Sequence, residues 1–417
     1  MKCGKADCGM RYAVRQSGKA VGYCSLSIRC GTRDEDGFHP GTAHFVEHTL
    51  FKGTAKRNAV AINSCLDRLG GELNAYTTKE EIVLHATVLR EDLRKAAALL
   101  FELVTEATFP ENEIETEKCV IIDEINSYKD APAEDIYDRF EEMLFAGHPL
   151  SRPILGSVSS VKKITRGELM RFVREKFIPE EMAFTAVADI SEDKMEKSLL
   201  AMAEKFFGKG RGNDCQAAVR NTGNPHSYFR PAPPLFSQKV SKRNHQANCV
   251  IGTTAPSLYE EKKRLATVLL CNILGGPASN SILNSVLREK HGWVYGVECT
   301  YTQYADSGIV AISLGCDKDN LDKCISAIDR ELVKLKTRAF SDRALKSAKK
   351  QLLGQLAISS DNGETQCLSM GKSLMTYGMI PDDGETKSKI EAITAGDIME
   401  MANELFDGAR LSRLVFI

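Results

Sequence analysis

Apolar positions along the first half of the chain alternate between strand-like and helix-like spacing. The apolar run at 22–29 predicts a strand, and residues 73–89, rich in Thr, Val, Ile and Tyr, predict a β-hairpin or one long bent strand. Between and after these segments, apolar residues recur at three- and four-residue spacing. Helices are therefore predicted at residues 41–51, 59–69, 90–105 and 110–126.

Two helix-then-strand segments in different halves of the chain begin with the same dipeptide. ITRGELMRFVREKFIPEEMAFTAVADI starts at Ile164, and ITAGDIMEMANELFDGARLSRLVFI starts at Ile393. A second pair of similar helix starts, around Phe109 and Phe340, has nearly the same separation. Two matches in the same order predict a duplicated domain of about 200 residues, and two unrelated α/β domains are the alternative.

A stretch rich in glycine and proline separates the two halves. Residues from Gly208 to Pro234 carry few aliphatic side chains, which is typical of a linker. The predicted organisation is an N-terminal domain at 1–212, a linker at 213–234 and a C-terminal domain of the same fold at 235–417. The predicted fold class is α+β with mixed sheets, each domain being a mostly antiparallel β-sheet packed with helices.

Composition is ordinary for a folded protein and excludes several classes. The chain has 417 residues, of which 43% are hydrophobic and 27% charged, so it is neither mostly disordered nor collagen-like. With 55 basic against 56 acidic residues, no overall charge attracts it to nucleic acid or to an anionic membrane. The 13 cysteines are scattered and odd in number, which favours reduced thiols.

Nothing in the sequence predicts export or membrane insertion. The N-terminal residues lack the apolar core of a secretory signal, and no apolar run approaches the length of a membrane span. We therefore expect a cytoplasmic protein of a bacterium, or a protein of an organelle matrix if a presequence has been removed.

The segment HFVEH at 44–48 carries the sharpest chemical signal. On a helix, residues four apart share a face, so His44 and His48 could both reach one zinc ion. Glu47 would lie beside the metal, where its carboxylate could accept a proton from an activated water. The order H-x-x-E-H inverts the commoner H-E-x-x-H zinc motif. The alternative is a pair of structural histidines next to a solvated glutamate.

A zinc site in a hydrolase needs a third protein ligand. The predicted helix after Pro110 is acidic, and Glu117 and Glu124, two turns apart, share one of its faces. One could bind the metal while the other orients a ligand from behind. Spacing alone does not choose between them, and a solvated acidic helix face is the alternative.

Three further residues could contact a peptide substrate. Arg288 on a predicted amphipathic helix and Tyr295 in the strand-like stretch after it are donors suited to a peptide carbonyl or oxyanion. Asn74 in GGELNAYTTKEE could hold a peptide that adds to the edge of a strand. Taken singly, each has a simpler explanation: an exposed helix-end arginine, a tyrosine packed in the core, and an ordinary strand start.

Four segments, in this order, resemble the insulinase/pitrilysin family of zinc peptidases: GTAHFVEHTLFKGT, LGGELNAYTTKE, EKCVIIDEI and LREKHGWVY. The closer resemblance is to the shorter branch, which includes the β subunit of the mitochondrial processing peptidase and small bacterial homodimeric peptidases. It covers nearly the whole chain, although residues 1–24 lack a clear match to the family's opening strand. The glycine-rich loop typical of the processing-peptidase α subunit is not evident.

The resemblance implies one Zn²⁺ per chain, held in the first domain only. It also implies a chain that forms half of a clamshell and pairs with another chain to enclose a chamber. The implied residue roles are metal binding by His44, His48 and Glu124, support by Glu117, general-base catalysis by Glu47, and assistance in substrate binding and catalysis by Arg288 and Tyr295.

The leading hypothesis is a zinc metalloendopeptidase that hydrolyses peptides or unfolded segments inside a closed chamber. Because one chain carries both the zinc motif and the Arg/Tyr pair, we predict a homodimer that needs no second protein. A non-catalytic, processing-peptidase-like or assembly subunit with a vestigial zinc site is the alternative, and the complete set of site residues disfavours it. A zinc hydrolase of a non-peptide substrate is a third hypothesis. Neither nucleic acid nor membrane is expected as a partner.

Overall fold

The computed structural model describes residues 1–208, 235–242 and 245–417. The β-strands in this part of the chain are β1 (Lys2–Lys5), β2 (Arg11–Gln16), β3 (Val21–Ile28), β4 (Glu72–Thr77), β5 (Ile82–Leu89), β6 (Met182–Ala188), β7 (Ser237–Val240), β8 (Gln246–Ala255), β9 (Val294–Gln303), β10 (Gly308–Asp317) and β11 (Ser412–Phe416).

The α-helices of the described residues lie between these strands, singly or in runs. They are α1 (Thr42–Leu50), α2 (Ala59–Asp67), α3 (Leu93–Glu106), α4 (Glu111–Asp130), α5 (Pro132–Leu144), α6 (Val158–Val161), α7 (Arg166–Lys176), α8 (Glu192–Phe207), α9 (Glu261–Gly275), α10 (Leu321–Thr337), α11 (Asp342–Ser360), α12 (Gly363–Tyr377), α13 (Asp383–Ala392) and α14 (Ala395–Leu405). A π-helical segment at Asn284–Lys290 lies between α9 and β9.

The first compact unit is built on a six-stranded sheet in the order β1-β2-β6-β3-β5-β4. Its strands pair antiparallel except for β2 and β6, which are parallel. Helices α3 and α8 cover one face, where Phe101 stacks on Phe184 of β6 and on Phe206 of α8 with ring centroids 5.5 and 5.7 Å apart. The opposite face packs against α12 through Cys367, Leu374 and their neighbours.

The second unit is built on a five-stranded sheet in the order β7-β11-β8-β10-β9. Only the β7–β11 pair is parallel among these strands. Helices α9, α10 and α14 form the larger core on one face, and α5 covers the other face through Phe140 and Leu144. The α+β class with mostly antiparallel sheets, predicted from the sequence, is confirmed.

The predicted internal repeat has matching elements in the two units. The segment at Ile164 folds as α7 followed by β6, and the segment at Ile393 folds as α14 followed by β11. Both helices begin at the threonine of the shared dipeptide, because the hydroxyl oxygens of Thr165 and Thr394 accept the backbone N–H three residues on. The shared Ile-Thr therefore marks the same structural event, a side-chain helix cap, in each half.

The compact units are not contiguous in sequence. Helix α12, from the second half, belongs to the first unit with residues Ala357–Pro381, and α5, from the first half, belongs to the second unit with Ser127–Ser151. The predicted boundaries 1–212 and 235–417 stay predictions, and the predicted linker at 213–234 lies outside the described residues. Among the residues that the structure does describe, no helix has the length and apolar content required to cross a bilayer.

The packing of α12 on the first sheet gives a testable prediction. Leu374 is 2% exposed between α12 and the sheet, so Leu374→Ala should lower the free energy of unfolding by about 2–5 kcal/mol. Lys372→Ala, on the exposed side of the same helix, should change it far less. Urea unfolding followed by circular dichroism measures both, and equal effects would contradict the assignment of α12 to this sheet.

Candidate metal centre

Helix α1, which carries HFVEH, begins at a residue that only glycine suits. Gly41 has φ 92°, and a Cβ atom there would lie 2.7 Å from the carbonyl oxygen of Leu155. Because glycine has no side chain, it cannot cap the helix. Glu35 supplies the cap from a distance: its two carboxylate oxygens accept the backbone N–H groups of Gly41 and Ala43 at 3.1 and 2.8 Å.

His44 and His48 lie on one face of α1, as their spacing predicts. Their ring centroids are 4.6 Å apart, and both rings face α4. The Nε2 atoms of His44 and His48 lie 3.7 and 3.6 Å from Oε2 of Glu124. One ligand atom from each of the three residues therefore falls within a single space less than 4.8 Å across.

These three atoms have the spacing of zinc ligands. Tetrahedral ligands about 2.0–2.2 Å from a zinc ion are separated by about 3.3–3.6 Å from one another, close to the His–Glu distances here. Oε2 of Glu124 is buried and has no hydrogen-bond partner among the described residues, a costly state for a carboxylate oxygen. Two imidazoles and one carboxylate are also a common donor set for catalytic zinc, so the residues fit the ion that the sequence predicts.

Glu117 is not one of the three candidate ligands, and it contacts His48 on the side of the ring away from Glu124. Its Oε2 lies 3.0 Å from Nδ1 of His48, and its Oε1 lies 2.6 Å from Nζ of Lys52. Its contact with Nδ1 turns the other imidazole nitrogen of His48 towards Glu124. Burial opposes ionisation of Glu117, but the hydrogen bonds from His48 and Lys52 outweigh it and hold its pKa below the usual value.

The three candidate ligands respond differently to burial. Burial, with a smaller contribution from His48, lowers the pKa of His44 to about 3, so this ring is neutral and able to donate a lone pair. Burial also opposes charge on His48, but the bond to Glu117 and the nearby carboxylates outweigh it and raise its pKa. Burial raises the pKa of Glu124, and the charge of His48 partly offsets this effect.

Glu47 lies on α1 next to the metal ligands in sequence and is held by the first sheet. The hydroxyl of Thr77, the last residue of β4, donates a hydrogen bond of 2.7 Å to Oε2 of Glu47. Burial raises the pKa of Glu47, while the bond from Thr77 and the charge of His48 act in the opposite direction. A carboxylate with a raised pKa is a better proton acceptor near neutral pH.

Asn74 lies on the strand that ends at this site. It is exposed on β4, the terminal strand of the first sheet, and pairs with His85 of β5 on the inner side. The other edge of β4 pairs with no strand among the described residues. A terminal strand with an open edge is able to accept an extended peptide, as the sequence predicts.

Arg288 and Tyr295 belong to the second unit, and both are exposed. Arg288 lies in the π-helical segment with its side chain 57% exposed. Tyr295 is 62% exposed near the start of β9, and its hydroxyl donates a hydrogen bond of 3.0 Å to Asp317. An exposed tyrosine does not support the simpler explanation that Tyr295 is packed in the core.

Sequence reasoning missed the residues that hold the site in place. Glu35 contacts the start of α1, Lys52 contacts Glu117, and Thr77 contacts Glu47. None of the three contacting residues belongs to a recognisable spacing pattern. Lys52 lies two residues beyond the end of α1, so helix periodicity does not place it either. The contact of Thr77 joins two segments 30 residues apart, which only folding brings together.

The cap provided by Glu35 yields a prediction about metal affinity. Glu35→Ala would leave two buried N–H groups without acceptors at the start of α1, costing about 1–3 kcal/mol of stability. Because His44 lies in the first turn of that helix, the variant should also bind zinc more weakly in a competition assay with a chelator. Glu175→Ala, an exposed acid on α7, is the matched control and should leave both measurements unchanged.

Proton linkage gives a second measurement on Glu35. Burial raises its pKa to about 8, against opposing hydrogen bonds from Ala43 and Gly41. A carboxyl whose pKa is raised on folding stabilises the protein below its unfolded pKa, and this contribution is lost as the pH rises through about 8. Between about pH 5 and pH 8 the free energy of unfolding should therefore fall more in the wild type than in Glu35→Gln. Parallel pH profiles would contradict this.

Comparison with known proteins places both halves of the chain in one family. Residues 11–158 match the profile of the insulinase family, peptidase family M16, and residues 163–352 match the profile of the peptidase M16 inactive domain. The first match contains the HFVEH segment and both candidate glutamates of α4. The second contains the π-helical segment and β9.

Relatives of similar length carry matching names. An uncharacterized zinc protease of Mycobacterium bovis is 30% identical over 380 residues, which are 91% of this chain and 84% of the relative. The uncharacterized zinc protease YmxG of Bacillus subtilis is 28% identical over 381 residues, 91% of this chain and 89% of the relative. The resemblance inferred from the motifs is thus confirmed.

Solved structures share the fold across the full length. A protease from Helicobacter pylori has a TM-score of 0.85 at 18% identity, covering 100% of this chain and 98% of the other. A peptidase M16 inactive domain from Pseudomonas fluorescens has a TM-score of 0.83 at 18% identity, covering 100% and 97%. With both family profiles matched in order and relatives aligned along nine-tenths of the sequence, the chain belongs to the insulinase family of zinc peptidases, M16.

Proposed function

We propose that this chain is a zinc-dependent endopeptidase whose reaction centre is the space between α1 and α4. The observation that carries the proposal is the convergence of His44, His48 and Glu124 on one point, with a second carboxylate, Glu47, on the same helix and outside the ligand set. A structural zinc site would use four protein ligands, whereas three ligands and an adjacent base are typical of a hydrolase.

In this proposal one Zn²⁺ per chain is held by Nε2 of His44, Nε2 of His48 and Oε2 of Glu124. The chemistry that zinc supplies when bound is polarisation of a carbonyl and activation of water. Glu117 accepts a hydrogen bond from Nδ1–H of His48 and so fixes the ring orientation. Lys52 neutralises Glu117, which keeps this carboxylate from competing for the metal.

Glu47 is the proposed general base. Its carboxylate accepts a proton from the attacking water and returns it to the leaving amine, so the side chain is regenerated in each cycle. The hydrogen bond from Thr77 occupies Oε2 and fixes the rotation of the carboxylate, which leaves Oε1 to exchange the proton. Because Thr77 ends β4, a peptide added along that strand would be led towards the base.

Substrate binding is proposed for Asn74, Arg288 and Tyr295. The exposed edge of β4 supports the role of Asn74, which would hold the peptide backbone. The exposure of Arg288 and Tyr295 supports their availability to a ligand, and guanidinium and phenol groups are suitable donors to a peptide carbonyl or oxyanion. Their assignment to substrate rests on the family resemblance. The homodimer and the cytoplasmic location rest on it and on composition, and both stay proposals.

A non-catalytic subunit with a vestigial site is the alternative. A site under no chemical demand has no reason to keep a buried carboxylate oxygen without a partner, as Glu124 does among the described residues. The full set of two histidines, the third ligand and the base favours an active enzyme. Hydrolysis of a non-peptide substrate would use the same zinc chemistry, but the open strand edge beside Glu47 favours a peptide.

The substitution Glu47→Gln tests the mechanism. The variant should keep wild-type zinc content by mass spectrometry, because Glu47 is not a ligand, and lose about 10²- to 10⁴-fold in kcat on quenched peptides. His44→Ala should lose both zinc and activity. Glu175→Gln, an exposed substitution of the same chemistry, should retain both.

Two results would contradict this proposal. Full peptidase activity in Glu47→Gln would exclude the glutamate as base. A wild-type protein that holds one zinc ion per chain, yet cleaves none of a mixed peptide library with or without added chelator, would favour the non-catalytic subunit.

A further inference from the structure

A cavity of about 590 Å³ opens in the first unit and is lined by none of the residues of the candidate metal centre. Its walls are the start of α3, residues 194–202 of α8, the segments leading into both helices, and the face of the sheet formed by β2 and β6. The volume is within the range of small-molecule sites, about 300–1,000 Å³. Neither the family profiles nor the proposed peptidase reaction assigns it a role.

The inner walls of the cavity are apolar and firmly packed. Val14 and Phe184 form the floor on the sheet, and Ala97 of α3 faces Leu199 and Met202 of α8. All five residues are at most 8% exposed, so the interior is lined by apolar side chains of the core. Such a lining suits a slender hydrocarbon chain better than a polar ligand.

The mouth of the cavity is polar and carries more positive than negative charge. Arg90 is paired with Asp189. Arg94 and Lys194 also line the mouth, and neither forms an ion pair with any residue that the structure describes. Glu91 is the second carboxylate in the lining, which leaves three cations against two anions. An anionic group at the mouth would therefore meet two cations that have no competing partner.

The backbone reinforces this preference. Helix α3 begins at Leu93, and α8 begins just after Ser191, so both helices start at the cavity. Neither start has a side-chain cap, although backbone carbonyls already accept the N–H groups of Leu93, Lys194 and Met195. The positive ends of both helix dipoles thus point to the same side as Arg94 and Lys194.

One polar atom lies inside the wall without a partner. Oγ of Ser198 is buried and makes no hydrogen bond to any described residue. Ser198 lines the cavity one helical turn after Lys194, so the two residues face the same space at successive depths. A buried hydroxyl in this state is a donor for an oxygen atom that the chain itself does not supply.

We propose that the cavity binds an amphiphilic anion, a single-chain carboxylate of medium length. The hydrocarbon chain occupies the space between Phe184, Ala97 and Met202. The carboxylate accepts a hydrogen bond from Ser198 and pairs with Lys194 and Arg94 at the mouth. An amphiphilic cation would meet two unpaired positive charges, and a free phosphate would leave the apolar interior empty.

Calorimetric titration of the full chain with decanoate, below the concentration at which it forms micelles, tests the proposal. We expect saturable binding at one site per chain, weaker binding of decanol, and none of decyltrimethylammonium. Ser198→Ala should weaken decanoate binding about tenfold, since a hydrogen bond to a charged group is lost. It should leave the melting temperature of the ligand-free protein unchanged, because the hydroxyl has no protein partner to lose.

Charge and space are tested by two more variants. Lys194→Glu should weaken decanoate binding about five- to tenfold, whereas Lys197→Glu, an exposed residue of the same helix outside the lining, should have little effect. Ala97→Leu should weaken binding because the larger side chain occupies part of the apolar interior beside Leu199 and Met202. If Ala97→Leu unfolds, the exposed Lys194→Glu variant and Ser198→Ala still decide the question.

Three outcomes would overturn the proposal. They are the absence of saturable decanoate binding, binding of decanol or decyltrimethylammonium as tight as that of decanoate, and binding that Ser198→Ala and Lys194→Glu leave unchanged. The last outcome would indicate nonspecific adsorption to the surface.

Discussion

The cost of burying ionisable groups between α1 and α4 dominates the structure of the metal centre. Histidines and glutamates lose hydration when they leave water, and they are tolerated inside a protein only when partners replace that hydration. Glu117 has such partners in His48 and Lys52, and Glu47 has one in Thr77. Oε2 of Glu124 and Nδ1 of His44 have no hydrogen-bond partner among the described residues, so the protein's own contacts leave part of this cluster unbalanced where three candidate ligand atoms meet.

That imbalance makes the position of α1 the controlling element of the site. Rotation of the helix by a fraction of a turn would separate the two imidazoles from Glu124. Contacts at both ends of the helix oppose this rotation. At the start, Glu35 and Gly41 fix the first turn against a neighbouring loop. At the end, Lys52 ties the chain to Glu117 on α4. The geometry of the donors is thus preorganised by residues that touch no donor atom of the proposed metal site.

The local part of this arrangement was predictable, and the long-range part was not. The spacing of His44 and His48 determines that both lie on one face, because helix periodicity is a property of the backbone. The same periodicity makes Glu117 and Glu124 equivalent, and only the approach of α4 to α1 separates them: Glu124 lies opposite both Nε2 atoms and Glu117 opposite Nδ1 of His48.

The same limit explains what the fold prediction lacked. Apolar patterns predicted helices α1 to α4 and, at 73–89, either a hairpin or one long bent strand, and the shared Ile-Thr dipeptides indicated the repeat. Hydrophobic periodicity could not show that α5 and α12 each pack in the unit formed mainly by the other half of the chain. The apolar face of an amphipathic helix shows that the helix packs against something, but it does not show which sheet that is. Thr77 was missed for a similar reason, since its partner Glu47 is 30 residues away in sequence.

The second unit provides a comparison for the buried ionisable residues of the first unit. Its element order of strand, helix, helical segment and hairpin, β8-α9-β9-β10, repeats the order β3-α1-α2-β4-β5, so α9 corresponds to α1. Where α1 buries an imidazole, α9 buries Leu265, Leu269 and Cys271. The same architecture therefore forms around an apolar helix, and replacing buried ionic groups by apolar ones is often neutral or stabilising. The apolar α9 shows that this element order does not require buried imidazoles at the position of α1. Buried histidines and glutamates in one unit, against an apolar helix in the other, are consistent with the metal site proposed for the first unit.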